Sequence, residues 1–130
     1  MKALACLPVF LLLFACNAAP AGVEEISADE LLSAPPADAL VLDVRSAEEF
    51  ASGHVPRAVN IPHSELATRL SELPESRNAP VIVYCESGKR AGMAADVLLD
   101  AGYGRVLHLA GDMKGWREAG RPTAQEVALP

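Results

Sequence analysis

Val81-Ile82-Val83-Tyr84, Cys85-Glu86-Ser87-Gly88-Lys89-Arg90 and Ala91-Gly92-Met93-Ala94-Ala95-Asp96-Val97-Leu98 form one continuous stretch, and its reading decides the fold. The first four residues are an apolar, largely β-branched run, which suits a strand buried on both faces. In the last part, small and apolar residues fall at 91, 94, 95 and 98, a spacing that lines one face of a helix. The six residues between suit neither element. Strand, tight loop and helix start together put Cys85 at the carboxyl end of a sheet, facing the positive end of a helix. Ligands of open α/β sheets bind in that crevice.

The chemistry needs this arrangement. A thiol is a good nucleophile only as thiolate, and a free cysteine ionises only near pH ~8.5. Loop amides turned inward form an anion cradle, and the helix start adds partial positive charge. Lys89 and Arg90 add full charges, and Gly88 allows the positive φ that lets successive N–H groups converge. A lone cysteine here would read as a small buried hydrophobe before a turn. The glycine and two cations in the next five positions favour a reactive thiol instead.

The loop Cys85-Glu86-Ser87-Gly88-Lys89-Arg90 after Val83-Tyr84 resembles the active-site loop of single-domain rhodaneses, which are sulfurtransferases. Two further segments agree. Leu42-Asp43-Val44-Arg45-Ser46 with Glu49-Phe50, Gly53-His54-Val55, Ala58 and Asn60-Ile61-Pro62 is similar to that family's upstream motif. Leu109-Ala110-Gly111 with Trp116 and Gly120-Arg121-Pro122 is similar to its closing motif. The resemblance runs from Val23 to Pro122 and is strongest to exported members of the phage-shock type. It implies a five-stranded parallel sheet with helices on both faces, Cys85 as catalytic residue, and substrate binding by Glu86, Ser87, Gly88, Lys89 and Arg90. It also implies thiosulfate use and a periplasmic site of action.

Length and composition bound the rest. The chain has 130 residues, 51% of them hydrophobic, enough for one domain with one core. A net charge of −6 without a basic stripe argues against nucleic acid. His54, His63 and His108 are scattered and show no metal-ligand spacing with the cysteines. Met1-Lys2 and the apolar run Ala3 to Phe14, broken by Pro8, read as a signal peptide too short to span a bilayer. Leu13-Phe14-Ala15-Cys16 resembles a bacterial lipobox, which would lipidate Cys16 and anchor the protein to a membrane. Cleavage after Ala19 or Ala21 is the competing reading. The expected division is signal and tether over 1–22, domain over 23–122 and a frayed tail over 123–130. Cys85 is then the domain's single thiol, working where thiols tend to be oxidised.

Along the domain, Val23–Ile26 reads as an edge strand. Ser27-Ala28-Asp29-Glu30 and Ser46-Ala47-Glu48-Glu49 are capping-box patterns, each opening a short helix. Strands are expected over 39–42, 58–61 and 105–109, a small helix over 64–70, and a last helix over 114–119. Gly53 and Gly102 are the expected stops.

Asp43 and Arg45 end a buried strand at the edge that carries Cys85. They read either as a structural ion pair, or Asp43 as a helix-capping aspartate, or as charges framing the loop, with Arg45 able to hold an anion. Glu49 reads as a helix cap, His54 as a residue fixing its loop, His63 and His108 as structural, and Asn60 as a backbone-bonding residue. Trp116 reads as core and Met113 as an apolar pocket wall. Arg57 and Ala110 depart from the small residue and the glycine expected at those places in the family. Glu86 beside a thiolate is expected on the rim, where it would discourage anionic acceptors.

The implied reaction is a double displacement through a Cys85 persulfide, from a small sulfur-containing anion to cyanide or a small thiol, with neither cofactor nor metal. Four residues separate Cys85 from Arg90, one fewer than in cysteine phosphatases of the same fold, so the cradle suits one sulfur better than a tetrahedral oxyanion. A thiol or persulfide redox role in the envelope shares the same nucleophile. A non-catalytic binding module of this fold usually lacks the cysteine.

Overall fold

The computed structural model describes residues 22–125. The expected signal peptide, Cys16 and most of the tether therefore lie outside the described residues, as does the end of the tail. The elements run β1 (Glu24–Ile26), α1 (Ala28–Ser33), β2 (Leu40–Asp43), α2 (Ala47–Ser52), β3 (Val59–Asn60), two 3-10 turns (Leu66–Thr68 and Leu70–Glu72), β4 (Val81–Tyr84), α3 (Lys89–Asp100), β5 (Val106–Leu109) and α4 (Asp112–Glu118). The five strands form one sheet in the order β1-β5-β4-β2-β3, and every pairing is parallel. This is the α/β architecture expected from the sequence.

Strand β4 lies between β2 and β5, and all four of its residues are buried. Its side chains alternate as a pleated strand requires. Val81 and Val83, and Cys85 just beyond, pack with Ala91, Ala94, Ala95 and Leu98 of α3. Ile82 and Tyr84 face the other layer, with Leu31 of α1 and Met113 and Trp116 of α4. The apolar spacing at 91, 94, 95 and 98 thus does in space what it promises in sequence. Register sets the working edge: Asp43 lies opposite both Tyr84 and Asn60, and Val83 opposite His108.

Both helix starts before the loop follow local chemistry. Ser46 and Glu49 form a complete capping box, each side chain bonding the other's backbone N–H. Ser27 caps α1 by accepting from the Glu30 amide, while no reciprocal bond from the Glu30 side chain forms.

Several boundaries differ from expectation, each for a physical reason. The helix expected over 64–70 is a pair of 3-10 turns, with amides bonding three residues back from Thr68 to Glu65 and from Leu73 to Leu70. Thr68 Oγ1 competes for the Glu65 carbonyl, and Pro74 forbids continuation. Leu66 and Leu73 still face inward, fully and nearly fully buried. Helix α3 begins at Lys89, earlier than its apolar face suggests, because Gly88 turns the chain at φ 109°. Lys89 and Arg90 therefore belong to the first helical turn. Helix α4 begins at Asp112 rather than Lys114, because the Met113 and Lys114 amides dock on the Cys85 and Glu86 carbonyls at 2.9 and 3.1 Å. The tail is not frayed at its start: His54 and Ala124 exchange both backbone hydrogen bonds at 2.9 Å, and Gln125 Nε2 donates to the Ser52 carbonyl. Arg57 sits at φ 69°, a left-handed conformation costing a side-chain-bearing residue about 1 kcal/mol, so its departure from the family pattern falls on a strained corner.

Candidate active site

Cys85 follows β4 directly and its residue is 1% exposed. The Gly88 amide donates to its Sγ at 3.0 Å. The turn that makes this possible is the left-handed Gly88. An added Cβ there would stand 3.2 Å from Asp112 Oδ2, so both backbone angle and space call for glycine. The Cys85 amide donates to Asp112 Oδ1 at 3.0 Å and so points away from the cradle. Among the described residues, no protein acceptor meets the amides of Glu86, Ser87, Lys89, Arg90 or Ala91. Those of residues 89 to 91 are the orphan donors of the α3 start, carrying the positive end of a 12-residue helix. The loop thus offers a thiol, one amide already on the sulfur, and free amides next to it: the elements of an anion cradle.

The loop is held from below by a buried polar hub. Asp43 Oδ1 accepts from the Arg45 amide at 2.9 Å and from Arg45 Nε at 3.1 Å. Its Oδ2 accepts from Arg45 Nη2 and from the Tyr84 hydroxyl, both at 2.7 Å. Arg45 Nη2 also donates to the Gly53 carbonyl, and the Val55 amide donates to the Tyr84 oxygen. Asn60 Nδ2 ties the Asp43 and Arg45 carbonyls together at 3.0 Å. Burial opposes the charge of Arg45, yet Asp43 holds its guanidinium above its ordinary pKa. Burial, then the Asp43 charge, pushes the Tyr84 phenol well up. No buried side-chain nitrogen or oxygen among the described residues lacks a partner. Of the two readings of Asp43 and Arg45, the geometry selects the structural pair. Arg45 reaches the loop only through Nη1, 3.8 Å from Glu86 Oε2.

The cations of the loop are not equivalent. Arg90 is engaged by Glu49 in a two-point ion pair, so its fork is not open to substrate as the resemblance implies. The partners reinforce each other: the Arg90 hydrogen bonds pull the Glu49 carboxyl down to about 2, and Glu49 raises Arg90. Glu49 is therefore both cap and counter-ion. Glu86 stands on the rim, partly exposed, in an ion pair with Arg117 of α4. Lys89 is exposed and has no ion-pair partner among the described residues, and Ser87 is exposed beside it.

The remaining candidates are placed as follows. His54 stacks on Phe50 and its Nδ1 bonds the Phe50 carbonyl, a loop-fixing role. Trp116 is core, its Nε1 donating to the Pro122 carbonyl. Met113 is fully buried in the layer beneath and does not wall a pocket; its backbone amide, not its side chain, meets the loop. His108 is more than packing: its Nε2 lies 3.0 Å from both oxygens of Asp112, the carboxylate that accepts the Cys85 amide. Sequence reasoning left Asp112 unread. The one available signal was an acidic residue directly after Gly111, four positions beyond a histidine on the last strand.

The sequence profile described as Rhodanese-like domain matches residues 27–119. A sulfurtransferase of Allochromatium vinosum is 38% identical over 102 residues, covering 77% of this chain and 94% of its own. The thiosulfate sulfurtransferase PspE of Escherichia coli is 36% identical over 70 residues, covering 54% of this chain and 67% of its own. Other relatives are longer; the chain spans 51% and 45% of two of them. Among solved structures, a rhodanese-related protein of Thermoplasma volcanium superposes with a TM-score of 0.69 at 30% identity, over 79% of this chain and 99% of its own.

Proposed function

The chain belongs to the rhodanese-like family, and on that premise we propose that it moves a sulfane sulfur from thiosulfate through a Cys85 persulfide to cyanide or a small thiol. The observation that carries the reading is Cys85 Sγ accepting the Gly88 amide inside a loop whose neighbouring amides have no protein acceptor among the described residues. A thiolate and a persulfide are both anions, and that environment stabilises each.

The first displacement forms a bond from the Cys85 thiolate to the outer sulfur of thiosulfate and breaks the donor's S–S bond. The electron pair leaves with sulfite, and Cys85 keeps one added sulfur as the persulfide anion. In the second, cyanide or a thiolate attacks that outer sulfur, forming thiocyanate or a new persulfide and returning the Cys85 thiolate. No proton need move between anions, so neither displacement requires a histidine base. The loop amides act as an oxyanion hole acts, aimed at where charge sits in the intermediate. Lys89, exposed and unpaired among the described residues, gathers the dianionic donor, while the Glu86–Arg117 pair on the rim screens what reaches the sulfur. Cysteine phosphatase chemistry would call on Arg90 to clamp an oxyanion, and Glu49 occupies it.

We also propose that residues 1–22 export the protein to the periplasm, with Cys16 lipidated to hold it at a membrane; Leu13-Phe14-Ala15-Cys16 supports this. The sulfur-transfer reading is tested by initial rates with thiosulfate and cyanide varied together. Parallel double-reciprocal lines, abolished by Cys85→Ser, are expected of a covalent intermediate. Intersecting lines, or a rate surviving Cys85→Ser, would overturn it.

A further inference from the structure

We propose that His108 and Asp112 form a positioning pair for Cys85, in which Asp112 holds the Cys85 amide and His108 sets the charge that Asp112 presents to the thiolate. The inference rests on Cys85 being the reactive nucleophile described above, but not on the identity of the sulfur donor.

Asp112 is an unusual place for a side chain. It is 3% exposed and sits at φ 54°, a left-handed conformation that carries a cost of order 1 kcal/mol or more outside glycine. Such a residue persists when its surroundings determine it, and here they do so from three sides. Oδ1 accepts the Cys85 amide at 3.0 Å. Both oxygens lie 3.0 Å from His108 Nε2. At Gly88, whose amide reaches the sulfur, an added Cβ would meet the same carboxylate at 3.2 Å. One side chain thus holds the nucleophile's own backbone and occupies the space beside the glycine that delivers its hydrogen bond.

The charge balance gives the pair a function beyond bracing. With His108 protonated, the pair is neutral overall. With His108 neutral, a full negative charge stands next to the Cys85 amide and opposes a thiolate or persulfide. The groups facing His108 favour the protonated form. Asp112 lies on Nε2 and Glu25 of β1 stands 3.5 Å from Nδ1. Asp96 of α3 borders the same open groove and adds to them, Lys89 borders it and opposes them, and Val83, in register on β4, is apolar. The balance raises the His108 pKa above its ordinary value, mainly through the Asp112 hydrogen bond, with burial opposing.

The test is the pH dependence of iodoacetamide alkylation on the purified full chain, followed at the Cys85 peptide by mass spectrometry. It reads the thiolate and needs no sulfur donor. His108→Gln keeps an amide donor for Asp112 but removes the cation; the half-maximal pH is expected to rise by about half a unit or more. Asp112→Asn keeps an acceptor for the Cys85 amide and a residue that tolerates positive φ, but removes the anion; the half-maximal pH is expected to fall. The double variant is expected to return to the wild-type position. An unmoved midpoint in His108→Gln, or both single variants shifting the same way, would overturn the proposal. Should either variant fail to melt cooperatively, the NMR titration of the His108 ring in the wild type and in Cys85→Ser decides. Linkage requires the ring to titrate at higher pH beside the thiolate, and equal midpoints contradict the pair. If thiosulfate leaves no sulfur on Cys85 while these shifts appear, the positioning pair stands and the sulfur-transfer reading falls.

Discussion

Arg90 and Glu49 meet fork to fork, Nη1 to Oε1 at 2.6 Å and Nη2 to Oε2 at 3.0 Å, tying the first turn of α3 to the first turn of α2 across 41 residues of chain. The pair fastens the start of α3, which carries the cradle, to the start of α2. Glu49 closes the capping box on Ser46 with the same carboxylate.

That relationship predicts an acid-resistant contact. The Arg90 hydrogen bonds hold the Glu49 carboxyl at about 2, below its ordinary 4.5. A depressed carboxyl contributes stability above its unfolded value and loses it as pH falls through the folded one. The Glu49 carboxyl carbon shift is therefore expected to stay at its ionised position through pH 4 and to move only near about 2. Movement centred at 4.5 would show that the pair does not persist in solution.

Asp43 is fully buried and serves Arg45 and Tyr84 together. Removing one partner of a buried pair leaves the other uncompensated, at a cost of about 3–5 kcal/mol. Asp43→Ala is expected to lose that much in urea unfolding, and adding Arg45→Met to recover a good part of it. A loss below about 1 kcal/mol would mean that water, rather than Asp43, satisfies Arg45.

Two glycines separate cradle from scaffold. Gly88→Ala places a Cβ against Asp112 at a φ of 109°, and sulfur loading is expected to fall about tenfold or more. Gly92→Ala, four residues on, meets nothing within 4 Å among the described residues at an ordinary helical φ. It is expected to raise stability by about 0.5–1 kcal/mol, with loading unchanged. Equal effects at the two sites would contradict the assigned role of the loop.

Glu86 holds the rim with Arg117 and lies near Arg45. Glu86→Gln removes one negative charge from the approach to Cys85. Rates with anionic thiol acceptors are expected to rise a few-fold relative to a neutral thiol, the gain shrinking as salt screens it. Identical ratios in variant and wild type would place Glu86 outside acceptor selection.

The legibility of this chain follows the range of the interactions. Elements set by local apolar pattern were readable: β4 from Val81-Ile82-Val83-Tyr84, and the inner face of α3 from residues 91, 94, 95 and 98. The cap at Ser46 and Glu49 was readable because both halves lie within one helical turn. The second engagement of Glu49, on Arg90, was not, since nothing local to either residue announces a partner 41 positions away. The turns around Leu66 and Leu70 read as helix because 3-10 and α patterns share their apolar spacing over so short a span. Asp112 escaped because its significance lies in a left-handed backbone and two partners brought by β4 and β5, none of which its own type predicts.

The central claim is that Cys85 carries sulfur. The most direct measurement is the intact mass of the purified protein after incubation with thiosulfate, for wild type and Cys85→Ser. The account predicts a gain of about 32 Da, one sulfur, on wild type alone, removed by cyanide. A folded, reduced wild type that gains nothing, or a Cys85→Ser variant that gains the same mass, would contradict it.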